Sequence, residues 1–477
     1  MTARRIAAAP GRAASPLWTF AIVSVALFMV VLDNLVVTTA LPSIRADLGG
    51  GVQALEWTVN AYTLTYAVLL LTGAALGDRF GRRRVFALGL GVFTLASAAA
   101  ALAPSTDALI AARAIQGAGA AIVTPLTLTL LSEAFPPERR GLALGAWSGI
   151  SGLGVALGPL VGGAVVQGIS WHWIFWLNVP LGLVTAPLAL RRLTESYGPA
   201  NRLDLPGLAL GGLGLLGVVF GIVRGHEVGW TSTTIAGSLA AGAALLAGFV
   251  AWELRAPAPM LPMRFFRSRA FSAANGVSLA MYFGVFGSIF LLAQFFQVVQ
   301  HMSPLEAGLR TLPWTGMPMI VAPLAGLLSD RIGSRPLMAA GLALQSGAIA
   351  WLAVVSTPDV PYSHLVAPFA MAGTGMALVF APTANAVLAA VRPREAGQAS
   401  GATNAIREVG GVLGVAVLAS VFSSHGSYAS GLAFTDGMTA AIWVGAAVLA
   451  AGALLALLVP GRRREPQAVP NAALASS

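Results

Sequence analysis

The chain contains no cysteine and no lysine among its 477 residues, and charged residues make up only 10% of it. The absence of cysteine excludes disulfide scaffolds, thiolate metal sites and thiol nucleophiles. A soluble domain carries about 25% charged residues, so a surface built from this composition does not face water. A soluble fold and thiol redox chemistry are therefore not expected.

Long apolar stretches dominate the sequence, and 57% of the residues are hydrophobic. A helix that crosses a membrane needs about 20 mainly apolar residues. The sequence therefore predicts an all-α integral membrane protein with fourteen transmembrane helices. The predicted helices lie near residues 17–40, 55–76, 85–103, 107–131, 141–166, 171–189, 205–223, 233–252, 271–299, 305–328, 336–355, 363–390, 398–423 and 437–460.

Arginine placement predicts the orientation, because cytoplasmic loops carry the excess of basic residues. With both termini in the cytoplasm, 23 of the 28 arginines fall on that side and only Arg45 and Arg224 fall outside. The basic residues thus set topology, and no nucleic-acid partner is expected. The first apolar run has no small-residue cleavage site after it, so it reads as a retained membrane anchor.

One short motif occurs twice. LGDRFGRR at 76–83 returns as LSDRIGSR at 328–335, each time directly after a helix that enters the cytoplasm. Pseudo-symmetric halves of this kind build transporters around a site near the bilayer midplane. We therefore predict a six-helix half at 1–190, a linker with two extra helices at 191–270, a second six-helix half at 271–460 and a cytoplasmic tail at 461–477.

Several motifs in order resemble the fourteen-helix drug:proton antiporter family of the major facilitator superfamily. They are LDNLVVTTALP (32–42), GDRFGRRR (77–84), RAIQGAGAA (113–121), GVALGPLVGG (154–163), WHWIFWLNVPLG (171–182) and IREVGGVLG (406–414). Two positions depart from the family pattern: Ala74 stands where a glycine is usual, and Glu408 stands where a glutamine is expected. The second departure raises the question of an additional proton carrier.

The resemblance implies a proton-coupled antiporter that exports drug-like, lipophilic or cationic molecules by alternating access. It implies a bacterial inner-membrane location, function as a monomer, and protons, a small-molecule substrate and lipid as the partners. A dedicated exporter of one metabolite or antibiotic is the nearest alternative, and a proton-coupled importer is another. No catalytic cluster, metal-ligand pair or phosphate loop is visible, so an enzyme, a metal site and a cofactor are not expected.

Asp33 is predicted as the principal proton carrier and Arg113 as its partner. Asp33 lies about 13 Å, and Arg113 about 9 Å, below the outer ends of their helices, so the two side chains can meet. Ionisable residues at such depth usually face an interior and mark ion or proton paths. A static ion pair between helices 1 and 4 is the alternative. Glu408, close to the midplane of helix 13, is predicted as a second proton carrier or as a contact for a cationic substrate, and internal pairing with an arginine is the alternative.

The repeated loop motif is predicted as an inner gate, and the glycines of helix 5 as a sliding surface that allows close helix approach. Topology alone and plain tight packing are the alternatives. The predicted gating residues are Asp78, Arg79, Gly81, Arg82, Arg83, Asp330, Arg331, Gly158, Pro159, Gly162 and Gly163.

Polar and aromatic residues of the predicted cavity are the candidates for substrate binding. Phe283, Phe286, Phe290 and Gln294 share one face of helix 9 by their spacing. Outward-facing phenylalanines in contact with lipid are the alternative. The complete predicted set is Asn34, Thr38, Tyr62, Gln116, Phe283, Phe286, Phe290, Gln294, Asn404 and Arg407.

Overall fold

A computed structural model describes residues 15–198, 204–392 and 395–461. Within helices, it does not describe the side chains at 52, 71, 137–142, 144, 145, 148, 149, 151, 152, 155, 156, 226, 227, 330, 396–398 and 400. The described residues form helices and connecting loops, and no strand occurs among them. In lipid this is expected, since a helix satisfies its own backbone hydrogen bonds.

Helices α1 to α7 form what is called here the N-terminal half. It contains five long helices and a sixth that is broken into α6 and α7. They are α1 (Pro16–Leu48), α2 (Val52–Phe80), α3 (Arg82–Ala101), α4 (Thr106–Ala134), α5 (Pro137–Gly168), α6 (Trp173–Trp176) and α7 (Asn178–Arg192). A helical hairpin follows, formed by α8 (Leu205–Val228) and α9 (Thr233–Glu253).

The C-terminal half comprises α10 to α16. It begins with a 3₁₀ turn (Met263–Arg267) and continues with α10 (Arg269–Gln294), a π-helical turn (Phe295–Val299), α11 (Pro304–Thr315), α12 (Met317–Ile332), α13 (Ser334–Val355), α14 (Tyr362–Ala389), α15 (Ala396–His425) and α16 (Gly431–Ala456).

Serine caps and glycine turns set the ends of many helices. Ser303 and Glu306 form a reciprocal capping box at the start of α11, which satisfies two of the backbone N–H groups that a helix start leaves unpaired. At the C-terminal ends of α2 and α12, which the arginine pattern predicts to be cytoplasmic, Gly81 and Gly333 have φ angles of 103° and 87°. Only glycine adopts such angles without strain. The repeated sequence motif therefore produces the same turn in both halves.

The same packing pattern occurs in both halves. In the N-terminal half α1 packs on α5, and α4 packs on α2 and α3; in the C-terminal half α10 packs on α15, and α14 packs on α12 and α13. The hairpin helix α8 contacts both α2 and α15. One side of the seam between the halves is thus covered by the α8–α9 hairpin.

The predicted count of fourteen spans is not reached among the described residues. Twelve helical segments are long and apolar enough to cross a membrane, and a thirteenth follows if Gln53–Leu70 and Thr72–Phe80, bent by 50°, form one span. The described apolar part of α5 is only Leu157–Gly168. Helices predicted as continuous at 171–189 and 305–328 are interrupted at Leu177 and Gly316.

Candidate functional site

Asp33 and Arg113 form an ion pair inside the N-terminal half. Asp33 on α1 is 1% exposed and Arg113 on α4 is 0% exposed. An Arg113 terminal nitrogen donates to Asp33 Oδ2 at 2.5 Å. The contact predicted from helix depth is therefore present in the structure. Removing one partner of a buried ion pair of this kind destabilises the folded protein by about 3–5 kcal/mol.

Two amides complete the surroundings of the Asp33 carboxylate. Gln116 Nε2 and Asn178 Nδ2 each donate to Oδ1 at 2.8 Å, and both also donate to Ser97 Oγ, at 2.6 and 3.2 Å. Donors to a carboxylate stabilise its charged form. Asp33 is thus held by three donors, from α4 and α7, in an interior that excludes water.

The guanidinium of Arg113 is fixed in its turn by neutral groups. It donates to the Thr58 carbonyl at 3.3 Å and to Gln116 Oε1 at 2.7 Å. Its carbon lies 4.2 Å from the centre of the Tyr62 ring, a distance at which the ring face attracts a cation. Residues 33, 97, 113, 116 and 178 are called the Asp33 site below.

Gln116 and Tyr62 are predicted as substrate ligands, and the structure places both in or beside the Asp33 site instead. Each is fully buried. The rotation of α4 that directs Arg113 to Asp33 also directs Gln116 there, three residues further along the helix. Thr38 is 4% exposed, and its hydroxyl donates to the Leu35 carbonyl of its own helix at 2.7 Å, so its role in substrate binding stays a prediction.

A second cluster, called here the aromatic cluster, consists of Tyr282, Phe286, Phe380 and Arg407. Tyr282 stacks on Phe286 with ring centres 5.5 Å apart and meets Phe380 edge-on at 6.2 Å. The Arg407 guanidinium lies 5.8 Å from the Tyr282 ring centre and 5.9 Å from that of Phe380. All four side chains are half-buried, so the cluster has an accessible side.

Only part of the aromatic wall predicted on helix 9, which corresponds to α10 in the structure, is accessible. Phe286 belongs to the aromatic cluster, but Phe283, Phe290 and Gln294 are buried in the core of the C-terminal half. The reason is that α15 and α16 pack against that face of α10. Tyr282 was missed by the prediction, although its position four residues before Phe286 is a sufficient signal.

Glu408 follows Arg407 on α15 and is half-buried. Its Oε2 atom is buried and has no hydrogen-bond partner in the described part of the chain. The carboxyl lies within electrostatic reach of Tyr66 on α2 and Tyr282 on α10, so it stands between the two halves. Asn34, next to Asp33, also has a buried side-chain oxygen without a partner among the described residues.

The loop motif at 77–84 contacts α4 and the segment after α7. Arg82 pairs with Asp78 at 2.8 Å and also with Glu133 on α4. Arg83 and Arg84 approach Glu195 at 3.5 Å. These partners lie on α2, on α4 and in the segment after α7, and none of these four contacts reaches the C-terminal half. The short turn at Gly81 directs the three arginines towards α4 and the segment after α7.

The other predicted gate residues make fewer described contacts. Arg79 lies over the Phe80 ring at 5.3 Å, and Arg331 is exposed near the end of α12. The side chain of Asp330 lies outside the described part of the structure. The gating role of this motif stays a prediction.

Replacing Arg82 by alanine is expected to slow the transport that the sequence resemblance implies by roughly threefold to tenfold and to leave substrate affinity unchanged. The substitution removes both ion pairs that join α2, α3 and α4 at this end of the bundle, without touching the aromatic cluster. Initial efflux rates in proteoliposomes and dissociation constants in detergent measure the two effects. Arg255→Ala is the matched control, since the one side-chain bond of Arg255 to a described residue is to the Ala251 carbonyl of the preceding helix α9. Equal losses of affinity and rate would contradict the prediction.

The two halves meet through glycines at the end of the bundle that the arginine pattern predicts to be the outer side. A Cβ atom at Gly163 of α5 would stand 2.7 Å from Leu305 Cα on α11, and one at Gly308 would stand 2.8 Å from the Pro159 carbonyl carbon. By contrast, Gly158 and Gly162 face Leu35 and Val36 of α1, within the N-terminal half. The glycines of α5 thus permit close approach on two sides, one of which lies between the halves.

Polar contacts reinforce this outer closure. Gln297 Nε2 donates to the Thr39 carbonyl at 2.9 Å, and the Arg45 guanidinium lies 3.8 Å from the Tyr428 ring centre. Tyr428 OH also donates to Gln294 Oε1. Neither Arg45 nor Tyr428 is among the predicted site residues. The signal in the sequence was that Arg45 is one of two arginines on the outer side.

A helical bundle with repeated halves, a buried carboxylate and a half-accessible cluster between the halves has the architecture of a membrane transporter. The Major Facilitator Superfamily model matches residues 23–415. The chain belongs to the major facilitator superfamily, whose members are in general transporters.

The comparisons support this assignment. The chain is 34% identical to the tetracenomycin C resistance and export protein of Streptomyces glaucescens, over 87% of this chain and 78% of that protein. It is 36% identical to the multidrug resistance protein Stp of Mycobacterium tuberculosis, over 83% and 74%. A structure of the xylose transporter XylE from E. coli matches with a TM-score of 0.63 at 14% identity, over 95% and 99%, and shares the fold.

Proposed function

We propose that this protein is a proton-driven antiporter that exports small drug-like molecules by alternating access. The observation that carries the proposal is the Asp33 site: a carboxylate sealed from water by three donors, 2.5 to 2.8 Å away. Such a group exchanges protons only when the helices around it move. Proton binding is thereby tied to a conformational change, which is the requirement for coupling.

The relatives support export as the direction. Their names describe resistance to and export of tetracenomycin C in one case and multidrug resistance in another. The first name also favours a dedicated exporter of one compound as the second candidate. We further propose fourteen spans, with α5 as one of them, in the bacterial inner membrane and with both termini in the cytoplasm.

The test is transport into proteoliposomes that contain the purified full chain. With an acid interior, an antiporter accumulates ethidium or chloramphenicol as protons leave, and protein-free vesicles do not. Accumulation driven instead by an acid exterior would identify a symporter and contradict the proposal. Comparing many compounds separates a multidrug exporter from a dedicated one.

Glu408→Gln is expected to impair the transport of monovalent cations much more than that of neutral compounds. One proton moving down 100 mV and one pH unit supplies about 3.7 kcal/mol, of which about 2.3 come from the voltage. Exchange of one proton for one cation moves no net charge, so only about tenfold accumulation remains. A second carboxyl carrier restores the voltage contribution.

Ethidium and chloramphenicol serve as the cation and the neutral compound, with the release of protons on binding followed by a pH dye in weak buffer. Glu306→Gln is the control, because Glu306 is an exposed capping residue on the outer side. If Glu408→Gln leaves both ethidium efflux and proton release unchanged, Glu408 is structural.

A further inference from the structure

The cation of the aromatic cluster, Arg407, forms no salt bridge among the described residues, although Glu408 lies within electrostatic reach of it. The guanidinium of Arg407 makes one described side-chain hydrogen bond, to Asn404 Oδ1 at a long 3.4 Å. Its Nε atom is buried without a partner in the described part of the chain. A buried N–H group costs free energy unless an acceptor satisfies it. No described residue supplies an acceptor to Nε, and the rest of the half-buried side chain is accessible to an acceptor from a ligand.

The rings around Arg407 define the shape of that partner. Tyr282 and Phe286 are stacked at an interplanar angle of 17°, and Phe380 stands at 90° to Tyr282. Aromatic groups prefer offset stacking and edge-on contacts of these kinds, so the accessible ring surfaces favour a flat aromatic molecule. The planar guanidinium donates to carboxylate oxygens in pairs, which a lysine does not.

We propose that Arg407 and the aromatic cluster form a subsite for anionic aromatic substrates, such as planar molecules that carry a carboxylate or an ionised phenol. This inference rests on the proposed export function and names a substrate class for it. The stacked rings bind the flat body of the ligand, and Arg407 binds its acidic group.

Glu408 does not cancel this subsite. Successive residues on a helix point about 100° apart. Arg407 lies over two rings of the C-terminal half, whereas Glu408, although also within electrostatic reach of Tyr282, extends to Tyr66 of α2 in the other half. The cavity thus contains two neighbouring charges of opposite sign that point in different directions. Arg407 binds acidic groups, and Glu408 is available to cations. Export of a monoanion in exchange for one proton also moves two charges in the direction that the membrane potential favours.

Binding of two dyes to the full chain in detergent tests the proposal. Fluorescein is anionic and rhodamine 123 cationic, and both have the same three-ring xanthene skeleton. Their dissociation constants are measured by fluorescence anisotropy for the native chain and for Arg407→Gln and Arg407→Lys. We expect Arg407→Gln to weaken fluorescein binding by about tenfold to a hundredfold, as expected for a lost charge-assisted hydrogen bond, and rhodamine 123 binding to remain or to tighten. Arg407→Lys should recover part of the loss.

Arg310→Gln is the matched control. Arg310 also lies over a tyrosine ring, that of Tyr362 at 4.4 Å, but it is on α11 in the outer part of the bundle. We expect it to leave both constants within about twofold. Failure of the native chain to bind fluorescein, or an equal loss of both dyes in Arg407→Gln, would overturn the proposal. The binding assay applies no proton gradient. A lack of proton coupling would overturn the export proposal but would not change the dissociation constants measured here.

Discussion

Asp33→Asn is expected to abolish accumulation driven by a pH gradient for every substrate, with the rate falling at least a hundredfold to the leak of protein-free vesicles. An amide neither takes up nor releases a proton in this range. The side-chain nitrogen of the new asparagine would also face a donor, because Arg113, Gln116 and Asn178 all donate to the carboxylate. An amide nitrogen cannot accept such a bond. The substitution therefore removes the proton carrier and disturbs the buried site at the same time.

The structural effect is separated from the coupling effect by two measurements. Removing the charge leaves Arg113 buried without its counter-ion, so the unfolding temperature should fall, consistent with a loss of about 3–5 kcal/mol. Exchange of labelled for unlabelled substrate requires no net proton movement and should persist if the chain is folded. Asp47→Asn is the control, because Asp47 is exposed and accepts a bond from Trp171 that an asparagine oxygen also accepts. Residual pH-driven accumulation in Asp33→Asn would exclude Asp33 as the carrier.

Helix depth was enough to predict the Asp33–Arg113 contact, because the rise per residue is fixed. The remaining partners were not predictable in the same way. Ser97, Gln116 and Asn178 converge only because α3, α4 and α7 have particular rotations about their axes. Sequence spacing gives the face on which a residue lies, and tertiary packing decides what that face meets.

The predicted helix 9, which corresponds to α10 in the structure, illustrates the same limit. Its phenylalanine spacing correctly predicts a shared face for Phe283 and Phe290, but that face packs into the core of the C-terminal half. In a soluble helix the apolar side identifies the core. Lipid is as apolar as leucine, so in a membrane the same pattern does not distinguish a core face from a lipid face. Spacing alone thus placed Phe286 and could have placed Tyr282 on one face, but only the packing of α10 against its neighbours shows that these two side chains stay half-buried.

The breaks in the spans have local causes that the apolar pattern does not report. Residues 305–328 form one apolar stretch, but Gly316 and Pro318 end α11 and start α12. Proline lacks a backbone N–H and is tolerated best in the first turn of a helix. Hydropathy counts a bent segment of this kind as one continuous span.

Gly163→Leu is expected to reduce transport by at least tenfold, because the outer sides of the two halves can no longer meet. A Cβ atom at this position would overlap the Pro304 carbonyl and stand 2.7 Å from Leu305 Cα. Both are backbone atoms, which cannot move aside as the end of a flexible side chain can. The helices must separate, so the closed outer side seen in this structure is destabilised, while α5 becomes more apolar and still inserts.

Gly168→Leu is the matched control, since nothing lies within 4 Å of a Cβ atom at that end of α5. The absence of native cysteine allows spin labels at cysteines introduced by Ala46→Cys and Asp436→Cys, two exposed positions in opposite halves. Electron–electron distance measurements should show longer separations in Gly163→Leu and unchanged ones in Gly168→Leu, with efflux lost only in the former. A well-expressed Gly163→Leu protein that transports normally with an unchanged distance distribution would show that the contact of α5 with α11 is not required for closure.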